Sequence, residues 1–115
     1  MLFMVGVERP QNDNEAWGMV VPAFREVGYG CTSAADEEKD IVKNIKDAIF
    51  TMIEILVDDG VNINELDKGL SRYNDNPNYK DFDTWIAVEM DLSAYTGKRK
   101  RVNVSLNDGL LRQID

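Results

Sequence analysis

Histidine is absent from the 115 residues. That removes the commonest general acid–base side chain and the commonest metal ligand. Nucleophilic Ser–His and Cys–His pairs are excluded with it. Cysteine occurs once, as Cys31, so no intramolecular disulfide can form and a zinc site lacks ligands. A lone cysteine fits a reducing cytoplasm. With no basic residue shortly after it, Cys31 reads as a structural thiol rather than a nucleophile. No run of about 18 apolar residues occurs, so no membrane span is expected. Met1-Leu2-Phe3-Met4-Val5 is apolar but lacks a basic leader and a small-residue cleavage site; it reads as a strand. Gly28-Tyr29-Gly30 lacks the third glycine and the lysine of a phosphate-binding loop. The inventory points to no catalytic residue, no metal and no cofactor.

What is present is acid, unevenly placed. The net charge is −8. Residues 1–94 hold 8 basic and 19 acidic side chains, whereas residues 95–115 hold 5 basic and 2 acidic. An acidic body repels nucleic acid over most of its surface, while a basic tail attracts it locally. The same acidic body suits a basic protein partner. This asymmetry divides the chain into a body, 1–94, and a linker with a basic segment, 95–115.

Periodicity gives the elements. Leu2–Val7 reads as a first strand, Pro10–Glu15 as a turn, and Ala16–Val21 as a second strand ended by Pro22. Phe24–Tyr29 reads as an irregular connection and Tyr29–Ser33 as a short third strand. From Glu37 to Asp58, Ile41, Ile45, Ala48, Ile49, Met52, Ile53 and Leu56 fall at helical spacing. Asp36 is the expected N-cap and Gly60 the expected stop. A short helix is expected over Asn64–Arg72, then a break at Asn74–Asn78. Thr84–Leu92 reads as a strand with Ile86, Val88, Met90 and Leu92 facing the core.

The basic segment alternates strictly. Val102, Val104 and Leu106 share one face; Arg101, Asn103 and Ser105 share the other. Arginine can bond guanine bidentately, asparagine adenine, and serine either. Two such strands from two chains form a ribbon that fits the major groove. Lys98, Arg99 and Lys100 would then lie near phosphates. The pattern fits an edge strand with a polar outer face equally well. Asn107 or Asp108 can cap a following helix bearing Leu110, Leu111 and Ile114.

Several segments together resemble HicB-type antitoxins with a ribbon-helix-helix tail. They are Gly30-Cys31-Thr32-Ser33-Ala34-Ala35-Asp36, the helix with Asn44 and Ala48-Ile49, Asp75-Asn76-Pro77-Asn78-Tyr79 leading into Trp85–Ser93, and Lys100–Asp115. The resemblance spans essentially the whole chain. It implies an α+β fold: a partial RNase H-like β-β-β-α-β domain, followed by the start of a ribbon-helix-helix unit. It implies that the chain binds and neutralises a HicA-type toxin, a small basic ribonuclease that cleaves mRNA. It further implies repression of its own operon, with Arg101, Asn103 and Ser105 at base-reading positions and Lys100 beside them. The tail's strand needs a partner, so a homodimer or higher homo-oligomer is expected. The family's tail has two helices after the strand, and this chain ends at Asp115 inside the first; the resemblance is therefore to a truncated unit.

Two other readings stay open on the residues alone. Carboxylates gathered at strand ends would make a metal-dependent nuclease on the same fold, although the strand positions of the first hairpin are apolar. A stand-alone DNA-binding regulator with a ligand-sensing body would need a closed, polar-lined pocket.

Overall fold

The computed structural model describes residues 1–69, 73 and 75–96. Strands β1 (Leu2–Glu8), β2 (Trp17–Val20) and β3 (Thr32–Ala35) precede helix α1 (Ile41–Asp58). Strand β4 (Thr84–Glu89) and a single helical turn, α2 (Ser93–Thr96), follow it. The strands form one sheet in the order β3-β2-β1-β4, with every neighbouring pair antiparallel. The expected mixed α+β class and β-β-β-α-β order are borne out.

Alternation along β1 sets the layers. Phe3, Val5 and Val7 are buried toward α1, opposite Val88, Ile86 and Met19 on the flanking strands. Leu2, Met4, Gly6 and Glu8 point to the far face. Helix α1 lies against β3 and β2. Its Ile41, Ile45, Ile49, Ile53 and Leu56 are all buried, as their spacing predicts.

Pro22 ends β2 by opening a 3-10 turn, Pro22–Val27. The connection expected to be irregular is thus ordered, and Phe24 anchors it by stacking on Phe3 at 5.7 Å. The third strand begins later than Tyr29. The Tyr29 N–H is committed to the Phe24 carbonyl at 2.9 Å, so the chain joins the ladder only at Thr32, opposite Val20.

The helix start also differs from expectation. Asp36 does not cap α1. Strand β3 pairs Ala35 with Trp17, and Glu37 is still extended at φ −128°. A 3-10 turn, Glu38–Asp40, intervenes, and Asp40 precedes α1 without a side-chain cap bond. The end of the helix is as read. Gly60 takes φ +82°, its N–H bonds the Val57 carbonyl at 3.1 Å, and the Val61 N–H bonds Leu56 at 2.9 Å. This is a Schellman closure, which needs a left-handed residue at that point.

Of the helix expected over Asn64–Arg72, the described residues form only a 3-10 turn, Ile63–Leu66; residues 70–72 lie outside them. The Asn62 side chain accepts from the Asn64 N–H, and Asp67 already leaves helical dihedrals at ψ +87°. Ile63 and Leu66 are buried, so two apolar anchors hold this turn to the core. Asn76 likewise opens the turn Pro77–Tyr79 by accepting from the Asn78 N–H. The β4 ladder ends at Glu89 rather than Leu92, yet the alternation continues: Met90 and Leu92 are buried. The N-terminal ammonium and carbonyl of Met1 both bond the Met90 backbone, each at 2.9 Å.

Candidate interaction surfaces

Lys100, Arg101, Asn103 and Ser105, the residues expected to meet DNA, lie outside the described residues. So does the helix expected after them. The geometry that can be described belongs to the acidic body.

Cys31 is buried, and burial pushes its thiol up to about 12. It stays protonated at neutral pH, in keeping with a structural role. Among the described residues, no three His, Cys, Asp or Glu side chains converge closely enough to hold a metal ion.

The far face of the sheet carries an aromatic group. Trp85 projects there from β4, and its ring lies over Gly6 of β1: a Cβ on Gly6 would stand 2.9 Å from the indole. Tyr73 stacks on Trp85 at 5.8 Å, and Tyr79 meets it edge-on at 6.1 Å. Phe82 packs edge-on against Tyr79 at 6.4 Å. These rings fasten the segment before β4 onto the sheet, the kind of contact that adds to simple area burial. The indole N–H of Trp85 is buried with no acceptor among the described residues. The Tyr73 hydroxyl donates to Glu26 at 3.1 Å, and burial, then that carboxylate, pushes Tyr73 up to about 12. Alternation assigned Trp85 to the face away from the core; nothing local in the sequence showed that Gly6 is its seat. The other half of this face is low in profile, with Thr32 and Ala34 exposed.

Two open depressions flank the sheet. One, of about 370 Å³, is lined by Val20, Arg25, Gly28, Tyr29, Gly30 and Thr32. Tyr29 closes one side by donating to Asp59 at 2.7 Å, a bond that raises the phenol's pKa. The other, of about 330 Å³, holds Asp67, Glu89 and Asp91 beside the Met1 ammonium, which sits 3.0 Å from Glu89. The Ser93 N–H donates to Asp91 at 3.1 Å and holds that carboxyl below its ordinary value. Neither is a closed, polar-lined chamber.

On the solvent side of α1, Val42, Phe50 and Ile55 are 46%, 39% and 41% exposed. Lys43 pairs with Asp47 at 3.3 Å across one helical turn, and Tyr95 reaches Glu54 at 3.3 Å.

A family model described as HicB_like antitoxin of bacterial toxin-antitoxin system matches residues 3–115. The chain belongs to this family of antitoxins. A relative, an uncharacterized 14.9 kDa protein from the rep-hol intergenic region of Haemophilus phage HP1 (strain HP1c1), is 32% identical over 117 aligned positions. The alignment covers 100% of this chain and 80% of the phage protein. Among solved structures, the Burkholderia pseudomallei antitoxin HicB superposes with a TM-score of 0.58 at 27% identity, over 96% of this chain and 79% of that one. A HicA3 and HicB3 toxin-antitoxin complex shares the fold, with a TM-score of 0.57 at 24% identity, over 79% of this chain and 99% of that one. The antiparallel sheet with the long helix α1 is therefore similar to the HicB arrangement. No helix among the described residues is long and apolar enough to cross a membrane.

Proposed function

We propose that this HicB-like chain neutralises a HicA-type, mRNA-cleaving toxin by direct protein contact through residues 1–94, without catalysis of its own. Family membership across residues 3–115 carries the reading. The charge of the body supports it: 19 acidic against 8 basic side chains before residue 95 suit a small basic ribonuclease. The HicA3–HicB3 complex is a precedent for such a pairing in a protein of this fold. The site of action on this reading is the cytoplasm, where mRNA and a reduced Cys31 coexist.

The second half of the proposal concerns residues 95–115. They supply one strand of a two-chain ribbon, so the chain acts as a homodimer or higher homo-oligomer. Arg101, Asn103 and Ser105 read operator bases, Lys100 contacts phosphate, and the operon is repressed.

Two measurements test these halves separately. Adding the purified chain to a HicA-type toxin from the adjacent reading frame should stop mRNA cleavage at equimolar ratio. Undiminished cleavage would reject the antitoxin role for that pair. A gel shift on the upstream promoter should show binding that Arg101→Ala weakens for the operator more than for unrelated DNA. Equal weakening on both would reduce the tail to a non-specific contact.

A further inference from the structure

Within Ile41–Asp58, helix α1 carries its bases before its acids, although the acidic Glu38 and Asp40 lie just ahead of it. A helix has a positive N-terminal and a negative C-terminal end, so acid belongs early and base late. Here the first turn holds no acidic residue and the last turn no basic one. Lys43 and Lys46 stand in the first half, Glu54 and Asp58 in the second, and no cation follows Lys46 before the helix ends. The Lys43–Asp47 pair also runs base-before-acid, the weaker orientation across a turn.

These residues share a ridge with an apolar centre. Val42, Lys46, Phe50, Glu54 and Asp58 follow one another at intervals of four, so they form a single row along the solvent side of α1. Phe50 sits at the midpoint of Ile41–Asp58 and is 39% exposed. Lys46 has no ion-pair partner among the described residues. A ridge with an exposed aromatic at its middle, base on one side and acid on the other, complements its own image rotated by half a turn.

We propose that α1 is a self-association surface, on which a second copy of this chain packs antiparallel, with Phe50 against Phe50 of the partner subunit. In that arrangement Lys46 faces Glu54 of the partner subunit, and Glu54 faces Lys46 of the partner subunit. The base-to-acid order along one helix is matched by the reversed order of the helix beside it. Rows of this kind interleave at a crossing angle near −50°, so the two central turns meet and the helix ends diverge. The contact is separate from any pairing through residues 95–115, and the two together would build an assembly larger than a dimer.

Cysteine trapping of the full chain tests this contact. Phe50→Cys should give a disulfide-linked dimer under mild oxidation, because residues on the two-fold axis come within disulfide reach. Ile55→Cys, equally exposed on the opposite flank of α1, should cross-link far more slowly, and Cys31 is buried and does not compete. In the Phe50→Cys background, Lys46→Glu or Glu54→Lys should each slow trapping about tenfold, since symmetry turns two attractions into two repulsions. The two changes combined should restore it. Lys46 and Glu54 lie two turns apart and cannot touch within one chain, so rescue reports contact between copies. Equal trapping at positions 50 and 55, or a combined variant as slow as the single ones, would overturn the proposal. So would a monomeric Phe50→Cys chain whose charge changes alter only toxin affinity, which would make a basic partner the occupant.

Discussion

Gly6 and Trp85 face each other across the β1–β4 ladder, with the indole lying where a Gly6 side chain would stand. The two positions are one structural unit: the aromatic fixes the segment before β4, and the glycine leaves it room. A Cβ at residue 6 would meet Trp85 at 2.9 Å and Phe82 at 3.1 Å. Gly6→Ala is therefore expected to destabilise the fold by about 1–3 kcal/mol through overpacking. In a Trp85→Ala background the same change should lose the share of that penalty owed to the indole and keep the part owed to Phe82. Urea unfolding of the two single variants and the double variant checks the coupling.

Gly60 and Gly30 should respond differently to alanine. Gly60 holds φ +82° in the Schellman closure of α1, so Gly60→Ala should cost about 1–2 kcal/mol. Gly30 has no left-handed backbone, and a Cβ there would meet nothing within 4 Å. Gly30→Ala should stay within about 0.5 kcal/mol of the parent. Thermal and urea denaturation of both variants decide the matter. A Gly30 variant that folds normally but binds toxin poorly would show that the depression it lines is used by the partner.

Asn44 holds the outer edge of the sheet. Its side-chain amide donates to the Ala34 carbonyl at 3.0 Å, on the side of β3 that has no neighbouring strand among the described residues. Asn44→Ala should lower stability by about 0.5–1.5 kcal/mol. It should also raise the aggregation rate, because an uncovered edge is a template for further strands. Light scattering beside the unfolding curve separates the two effects.

Stability should fall in alkali from a specific source. Burial raises the Cys31 thiol from 9.0 to about 12 in the folded chain. The folded state thus keeps its proton where the unfolded state has lost it. The stability this represents is fully present below pH 9 and declines as pH rises from about 9 toward 12. Tyr73, raised from 10.0 to about 12, adds to the decline beginning one unit later. Unfolding free energy measured at pH 7, 9 and 10 should be flat and then falling. Cys31→Ala should flatten the step between 9 and 10. Thiol reagents should modify Cys31 slowly in buffer and rapidly in urea.

Local pattern alone determined the long helix, its stop at Gly60, the alternation of β4 and the division between an acidic body and a basic tail. Each rests on spacing or composition within a short window, which side-chain periodicity and charge make visible without any partner. The family resemblance rested on the order of several such windows. Tertiary structure decided the rest. Asp36 loses its capping role because β3 still pairs Ala35 with Trp17, so the backbone is extended where a cap would bend it. The third strand slips to Thr32 because the turn after Pro22 holds Tyr29. Gly6 becomes the seat of Trp85, and Asn44 the guard of an edge, through contacts 79 and 10 residues away in sequence. The ridge through Phe50 shows the same division: its spacing could be read in the chain, but which side of α1 the sheet would leave uncovered depended on how the whole layer packs.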